Sequence, residues 1–309
     1  MISICIPIYN CKVTKLVNEL SRQALLLKVP SEIILIDDCS KNSIKELNKS
    51  VCANQVYIEL DKNVGRAAIR NRFIKYAKFE NMLFLDCDSI IISNHFLLNY
   101  IKEIKERRYS IIYGGSIYKK VKPKRNKRLR WLCGLKRENK NWLIRKQSKN
   151  KSFMTNNFLI NKAIFEETPF DERLVDYGHE DTLFGFELKK NSIVINHTNN
   201  PVLNGSLDNN IDYINNTEKA ISNLVDILEY VNYDKSFIED VVLLRVYFKL
   251  YKIRKIILGI FLIFKPLIKY LLSIGFVNIY MFDFYKLGFL TLKMNNRKSS
   301  RFFVTIKLF

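Results

Sequence analysis

Short β-branched runs alternate with amphipathic helical patterns through the first 118 residues, and this order constrains the fold more than any other feature of the chain. Ile2 to Ile8 reads as a strand, Val13 to Leu27 as a helix and Glu32 to Ile36 as a second strand. Ser43 to Val51 then reads as helical, Val56 to Leu60 as a third strand and Arg66 to Phe79 as a helix. Met82 to Leu85 is a fourth, wholly apolar strand, followed by a helix over His95 to Arg107 and a strand over Ser110 to Tyr113. Strands that are apolar throughout and separated by helices imply an α/β fold with a mostly parallel sheet covered on both faces.

The pattern breaks at residues 119–151, a Lys/Arg/Asn-rich stretch with Trp131 and Trp142 embedded. It predicts a long mobile loop with room for a short helix. Order returns with Phe153 to Ile160, a turn at Pro169-Phe170-Asp171, a helix from about Glu180 to Lys190 and a short strand over Ile193 to Ile195. Further helices are expected over Ile211 to Tyr230 and Phe237 to Tyr251. Four segments result: 1–118, the basic loop 119–151, a second half 152–235, and a helical tail 236–309.

Charge separates these segments sharply. The net charge is +21. Residues 119–151 carry 15 Lys/Arg against one Asp/Glu, and residues 241–309 carry 13 against one, while the rest of the chain is net −5. Two basic blocks suggest an anionic surface as partner, membrane or nucleic acid. With 48% hydrophobic residues, 10 Gly and 6 Pro, the chain can bury a sizeable core and is neither disordered nor linker-like. Its six Cys form no C-x-x-C pair, which argues against structural zinc or a disulfide framework and predicts a reducing, cytoplasmic location. Met1 runs directly into an apolar strand-like segment, so no signal peptide is expected.

Candidate chemistry sits at the predicted strand ends, where open α/β sheets bind ligands. The first strand ends Pro7-Ile8-Tyr9-Asn10 without a glycine, which excludes a dinucleotide-binding turn, and no P-loop pattern occurs anywhere. Asp37-Asp38-Cys39-Ser40 closes the second strand, where the carboxylates could accept bonds from a ribose or base, or Asp38 or Ser40 could cap the next helix. The fourth strand ends Asp86-Cys87-Asp88; period-2 geometry puts the two carboxylates on one face roughly 7 Å apart, suited to a hard divalent cation bridging phosphate oxygens. Asn63-Val64-Gly65-Arg66 opens a helix whose first turn carries cations against the dipole, an arrangement that makes sense beside a diphosphate facing Arg66 or Arg70. Arg70 and Arg72 fit a solvated cationic face equally well. In Asp176-Tyr177-Gly178-His179-Glu180-Asp181 the two last carboxylates fall in a first helical turn, whose dipole favours the ionised form and so a base ready at neutral pH. Ordinary first-turn preference for acids gives the same pattern.

Taken together, Pro7 to Asn10, Asp37 to Ser40, Asn63 to Arg66 with Arg70-Asn71, Asp86-Cys87-Asp88 and Gly178 to Asp181 resemble glycosyltransferase family 2 in order and spacing, over residues 1 to about 200. The resemblance implies a GT-A fold and an inverting, Mg2+- or Mn2+-dependent transfer from a nucleotide-sugar, most often a UDP-sugar, to a glycan or lipid-linked glycan hydroxyl. Under it Pro7, Tyr9 and Asp38 hold the nucleobase, with Asn10 at the same strand end and Asp37 helping to position the base. Gly65, Arg66 and Arg70 bind the nucleotide-sugar, the two arginines approaching the diphosphate or sugar, and Asp86 touches the ribose or a metal-bound water and joins the metal site. Asp88 ligates the metal, Asp181 is the catalytic base and Glu180 binds acceptor or donor sugar. Many relatives carry a His after an Asn-Pro-Val turn; here that stretch reads Asn200-Pro201-Val202-Leu203-Asn204, and His197, seven residues before Asn204, is the candidate for the third metal contribution, with a structural histidine as the alternative.

Other classes fit less well. Nucleic-acid binding has the basic block and its tryptophans but no recognised motif, and the neighbouring 152–240 segment is net −10. A nucleotidyltransferase would need a Gly-rich N-terminal loop. An inactive membrane-surface scaffold would be expected to have lost at least one of the carboxylates. In the tail, the uncharged stretch Ile256 to Phe264 is short for a span, which predicts amphipathic helices on the inner face of an anionic cell membrane. A helical subdomain packed on the core is the competing expectation.

Overall fold

The computed structural model describes residues 1–107, 110–174 and 177–300; Asp176 and the last nine residues of the expected tail lie outside them. The chain divides into two units, one of Met1–Lys122, Cys133–Val175 and Glu180–Leu207, the other of Pro123–Leu132, Asp176–His179 and Asp208–Phe309.

The first unit opens β1 (Ile2–Ile8), α1 (Thr14–Leu25), β2 (Ser31–Asp37), α2 (Asn42–Val51), β3 (Val56–Glu59), α3 (Arg66–Tyr76) and β4 (Asn81–Leu85), in the order expected. β5 (Ser89–Ile91), α4 (Phe96–Arg107), β6 (Ile111–Tyr113) and β7 (Ser116–Ile117) follow. The basic segment departs from the predicted loop. It holds α5 (Arg128–Cys133), a π-helical turn (Gly134–Glu138) and α6 (Trp142–Gln147). Apolar anchors explain the order: Leu129 and Cys133 are buried, and Gly134 lies where a Cβ would strike the Tyr118 ring. β8 (Asn157–Asn161), α7 (Lys162–Glu167), α8 (Glu180–Lys190), β9 (Asn196–His197) and β10 (Val202–Asn204) complete the unit.

Seven strands form one sheet in the order β3-β2-β1-β4-β8-β6-β9. All run the same way except β8, which is antiparallel to both β4 and β6. A second sheet, β5-β10-β7, has three strands. The two faces of the large sheet follow the period-2 alternation. Ile2, Ile4, Ile6 and Ile8 pack with Leu16, Leu20, Leu97 and Tyr100 from α1 and α4. Cys5, Met82 and Phe84 face the opposite side with Ala67 and Phe73 of α3. That side is dominated by aromatic rings: Phe158 stacks on Phe84 at 4.9 Å, and Phe170 stacks on Phe184 at 4.1 Å. The architecture is the α/β fold expected, with helices on both faces and a helical C-terminal region.

The second unit contains α9 (Asn210–Tyr230), α10 (Lys235–Asp240), α11 (Val242–Lys249), α12 (Arg254–Ser273) and α13 (Ile279–Ser300). The single helix expected over Phe237 to Tyr251 is thus two, broken at Val241, whose backbone is extended. Ile257, Phe261, Ile268 and Leu272 of α12 are buried with Leu224 and Leu228 of α9 and Tyr285, Phe289 and Leu290 of α13. Gly288 lets α13 approach Phe261, since a Cβ there would lie 2.2 Å from its ring.

Phe158 is fully buried among Phe84, Phe153, Phe170 and Phe184. Phe158→Ala is expected to destabilise the first unit by about 3–5 kcal/mol, the usual cost of emptying an aromatic core site. Urea unfolding checks this; an unchanged midpoint would contradict the packing.

Candidate active site

The parallel strands bring their carboxyl ends together, and the loops there are tied to one another. After β1, Tyr9 is exposed and Asn10 adopts a positive φ of 50°. Asn10 N–H donates to Ser40 Oγ at 2.7 Å, and Asn10 Oδ1 accepts from Lys41 N–H at 2.9 Å. Pro7, inside the strand, is half-buried.

The two aspartates after β2 are held by their own loops. Asp37 is fully buried; it accepts Ser40 N–H on Oδ1 at 2.6 Å and the Tyr57 hydroxyl on Oδ2 at 3.0 Å. Asp38 accepts Val64 N–H at 2.7 Å and Gly65 N–H at 3.2 Å, one on each carboxylate oxygen. Burial pushes the Asp38 carboxyl above its usual range even though those two N–H bonds pull it down. The pair therefore fixes the loop that starts α3. Gly65 has φ 86°, a left-handed conformation that an L side chain rarely adopts.

Arg70 is not the solvated cation that its sequence position allowed. It is 4% exposed and donates to Asp86 Oδ1 at 3.0 Å and to the Arg66 carbonyl at 3.0 Å. Its guanidinium also stands 5.7 Å from the centre of the Phe170 ring, and its buried Nε has no partner among the described residues. Arg66, half exposed, lies 3.5 Å from Glu180 Oε1. Glu180 is buried and its Oε2 is likewise unpartnered. α8 begins here directly after Gly178 and His179, both with positive φ.

Asp181 follows, half-buried, with Oδ1 accepting Thr182 N–H at 2.7 Å. The helix dipole was expected to keep it ionised at neutral pH. Instead burial, reinforced by the neighbouring Glu180 charge, pushes its carboxyl up to about 7; the Thr182 bonds and the Arg70 charge only partly oppose this. Desolvation outweighs the dipole because the charged form loses water that two local donors do not replace. Such a value suits a proton acceptor working near neutrality.

Asp88 lies where β5 begins. Its Oδ2 accepts from the Ser206 hydroxyl, and Gly205 passes so close that a Cβ there would sit 2.1 Å from the Asp88 carbonyl. Asn204, paired with Ser89 in the small sheet, has a buried Oδ1 without a partner among the described residues. Asp88 and Asn204 thus offer oxygen donors of the kind a hard divalent cation takes. Sequence reasoning did not assign Asn204 or Ser206 a role; the signal for Asn204 was its place after Asn200-Pro201-Val202, where relatives carry a His. The Cys87 thiol, between the two aspartates, draws the Cys11 thiol after β1 below its usual range.

His197 does not join these groups. Its ring is 3% exposed, with Nδ1 accepting from Arg145 Nε at 3.3 Å and Nε2 donating to the Lys149 carbonyl at 2.8 Å. Both nitrogens are therefore engaged, and burial lowers its pKa to about 4, which keeps the ring neutral. It also sits on β9, three strands from β4 and so about 14 Å across the sheet. Among the described residues no three His, Cys, Asp or Glu side chains converge as a metal site. The expected third ligand is corrected accordingly: His197 serves the packing around Arg145 and Tyr113.

The carboxylates and arginines gather at the carboxyl ends of the parallel strands, where open α/β sheets bind ligands. The family described as glycosyl transferase family 2 matches residues 3–168, more than half of the chain, which therefore belongs to that family. An uncharacterized glycosyltransferase of Rickettsia felis is 30% identical over 125 residues, 40% of this chain and 20% of that protein. Among solved structures, residues 1–349 of S. aureus TarS share 17% identity at a TM-score of 0.52, covering 98% of this chain and 93% of that one. The mannosyltransferase PcManGT of Pyrobaculum calidifontis, in complex with GDP-Man and Mn2+, shares 12% identity at a TM-score of 0.58, covering 97% and 88%. The chain spans 39% of a longer TarS chain. These likenesses establish the shared fold.

Loss of the loop anchor should be visible without any ligand. Asp38→Ala removes acceptors from Val64 and Gly65 and is expected to cost about 1–3 kcal/mol, the range for orphaned buried donors. Amide exchange at residues 64 and 65 checks it; unchanged protection would contradict the anchoring role.

Proposed function

We propose that this chain is an inverting glycosyltransferase that moves a sugar from a nucleotide-sugar to a hydroxyl of a glycan or lipid-linked glycan, with Mg2+ or Mn2+ as cofactor. The observation that carries the reading is the meeting of Arg66, the Arg70–Asp86 pair and the Glu180–Asp181 turn. Asp181 accepts the proton of the attacking hydroxyl, and its value near 7 lets it exist as base while retaining basicity. Arg66 and Arg70 supply positive charge for a diphosphate, and Glu180, held by Arg66, orients a sugar hydroxyl. Tyr9, exposed at the end of β1, offers a ring face to the nucleobase. Asp88, with Asp86 and Asn204 beside it, would hold the divalent cation, which when bound neutralises charge on the leaving diphosphate. A UDP-sugar is the first donor to try because TarS 1–349 has a structure with UDP, and GDP-sugars follow because PcManGT carries GDP-Man.

The expected pH dependence follows from the raised Asp181 value. Protonated Asp181 cannot accept the hydroxyl proton, so kcat/KM should fall as pH drops through about 7 and level off above it. Asp181→Asn should bind donor nearly normally, lower transfer by roughly 10²–10⁴-fold and lose that pH limb. Collapse of donor affinity in this variant would make Asp181 a binding residue instead. Asp88→Asn should abolish transfer and weaken metal-dependent nucleotide binding, read by thermal shift with UDP-, GDP- and dTDP-sugars with and without Mn2+. Unchanged metal-dependent activity would remove Asp88 from the metal site.

A further inference from the structure

α12 is apolar on two faces, and the described residues cover one of them. Ile257, Phe261, Ile268 and Leu272 form the stripe packed among α9 and α13. A second stripe, Ile256, Ile260, Ile263, Leu267, Tyr270 and Ile274, repeats every three or four residues and is exposed at every position, Ile263 by 74%. At about 100° per residue the two stripes are separated by about a third of a turn. Past the helix, Phe276 and Tyr280 are 60% and 77% exposed. Contiguous exposed aliphatic surface of this kind marks an interaction site.

Charge identifies the occupant. Within the same unit the 123–132 segment contributes Lys124, Arg125, Lys127, Arg128 and Arg130 and no acidic residue. It is fixed at the C-terminal end of α12, because Asn210 Nδ2 donates both to the Arg125 carbonyl at 3.0 Å and to the Ser273 carbonyl at 3.2 Å. Gly275 lies against Arg125, where a Cβ would meet its carbonyl at 2.4 Å. Exposed Lys124 and Arg125 therefore border exposed Ile274 and Phe276, and exposed Lys252 and Lys255 border the other end of the stripe. Aliphatic side chains rimmed by cations, with aromatic rings at one end, match the acyl and headgroup layers of an anionic leaflet.

By length and composition Tyr251–Ser273 could cross a membrane. Its packing argues for lying in the plane. Lys269 of α12 and Tyr285 of α13 both reach Glu218 on α9, and Arg297 pairs with Asp226 and Glu229. A crossing helix would carry these carboxylates into hydrocarbon, whereas an in-plane helix leaves them on the wet side.

We propose that the exposed stripe of α12, with the 274–280 turn and the 123–130 arm, docks this protein in the plane of an anionic phospholipid surface. The full chain, without donor or metal, is sedimented with phosphatidylcholine vesicles with and without phosphatidylglycerol, at low and high salt. Binding is expected to the anionic vesicles, weakened but not abolished by salt. Ile263→Glu/Leu267→Glu and Lys124→Glu/Arg125→Glu should each weaken it by about tenfold or more while the thermal midpoint stays unchanged, since all four side chains are exposed. No sedimentation of the wild-type chain, or equal sedimentation of the Ile263→Glu/Leu267→Glu variant, overturns the proposal. Sedimentation velocity provides the remaining arm: a dimer lost on Ile263→Glu/Leu267→Glu, without vesicle binding, would assign the face to a second copy and overturn it too.

Discussion

A buried guanidinium needs a counter-charge, and the pairing of Arg70 with Asp86 supplies one at the place where the rest of the site converges. Asp86 is partly exposed, so solvent screens the pair, and the larger consequence of losing Asp86 would be a buried Arg70 charge without its carboxylate. The pair joins α3 to the end of β4, so the loop fixed by Asp38 and the aspartate motif after β4 keep one spacing. The same guanidinium stands against the Phe170 ring and lowers Asp181 electrostatically. Without it, burial and the Glu180 charge would drive Asp181 further from a usable base.

Much of this was legible in the sequence because it depends on period and order. The apolar runs Ile2 to Ile8 and Met82 to Leu85 can only be central strands, and the carboxylates that follow them must lie at the carboxyl edge. Gly65 and Gly178 signalled turns, and both take positive φ. The ends of α8 matched the expected helix from Glu180 to Lys190.

What the sequence hid depends on tertiary partners. Arg70 has the local signature of a surface cation, and only the position of Asp86 and Phe170 makes it internal. Asp37 and Asp38 read as ligand or cap residues, and only the fold shows that Tyr57, Val64 and Gly65 meet them. His197 seemed a metal candidate by chain position, but β9 carries it to the far edge of the sheet, beside Arg145. The order in 119–151 was concealed by its charge, since Leu129, Cys133 and Arg145 are buried within an otherwise basic run. Asn204 and Ser206 come to Asp88 only because β10 pairs with β5, a short antiparallel contact with no periodic signal of its own.

A single displacement with one proton acceptor inverts the anomeric centre, so the stereochemistry of transfer tests the proposed function most directly. NMR of the first-formed product from an α-linked nucleotide-sugar in the presence of Mn2+ reads the new anomeric centre before any equilibration. An in-line displacement gives inversion to the β-anomer, formed roughly 10²–10⁴-fold more slowly when Asp181 is replaced by Asn. Retention of the α-configuration by the wild-type chain would contradict it.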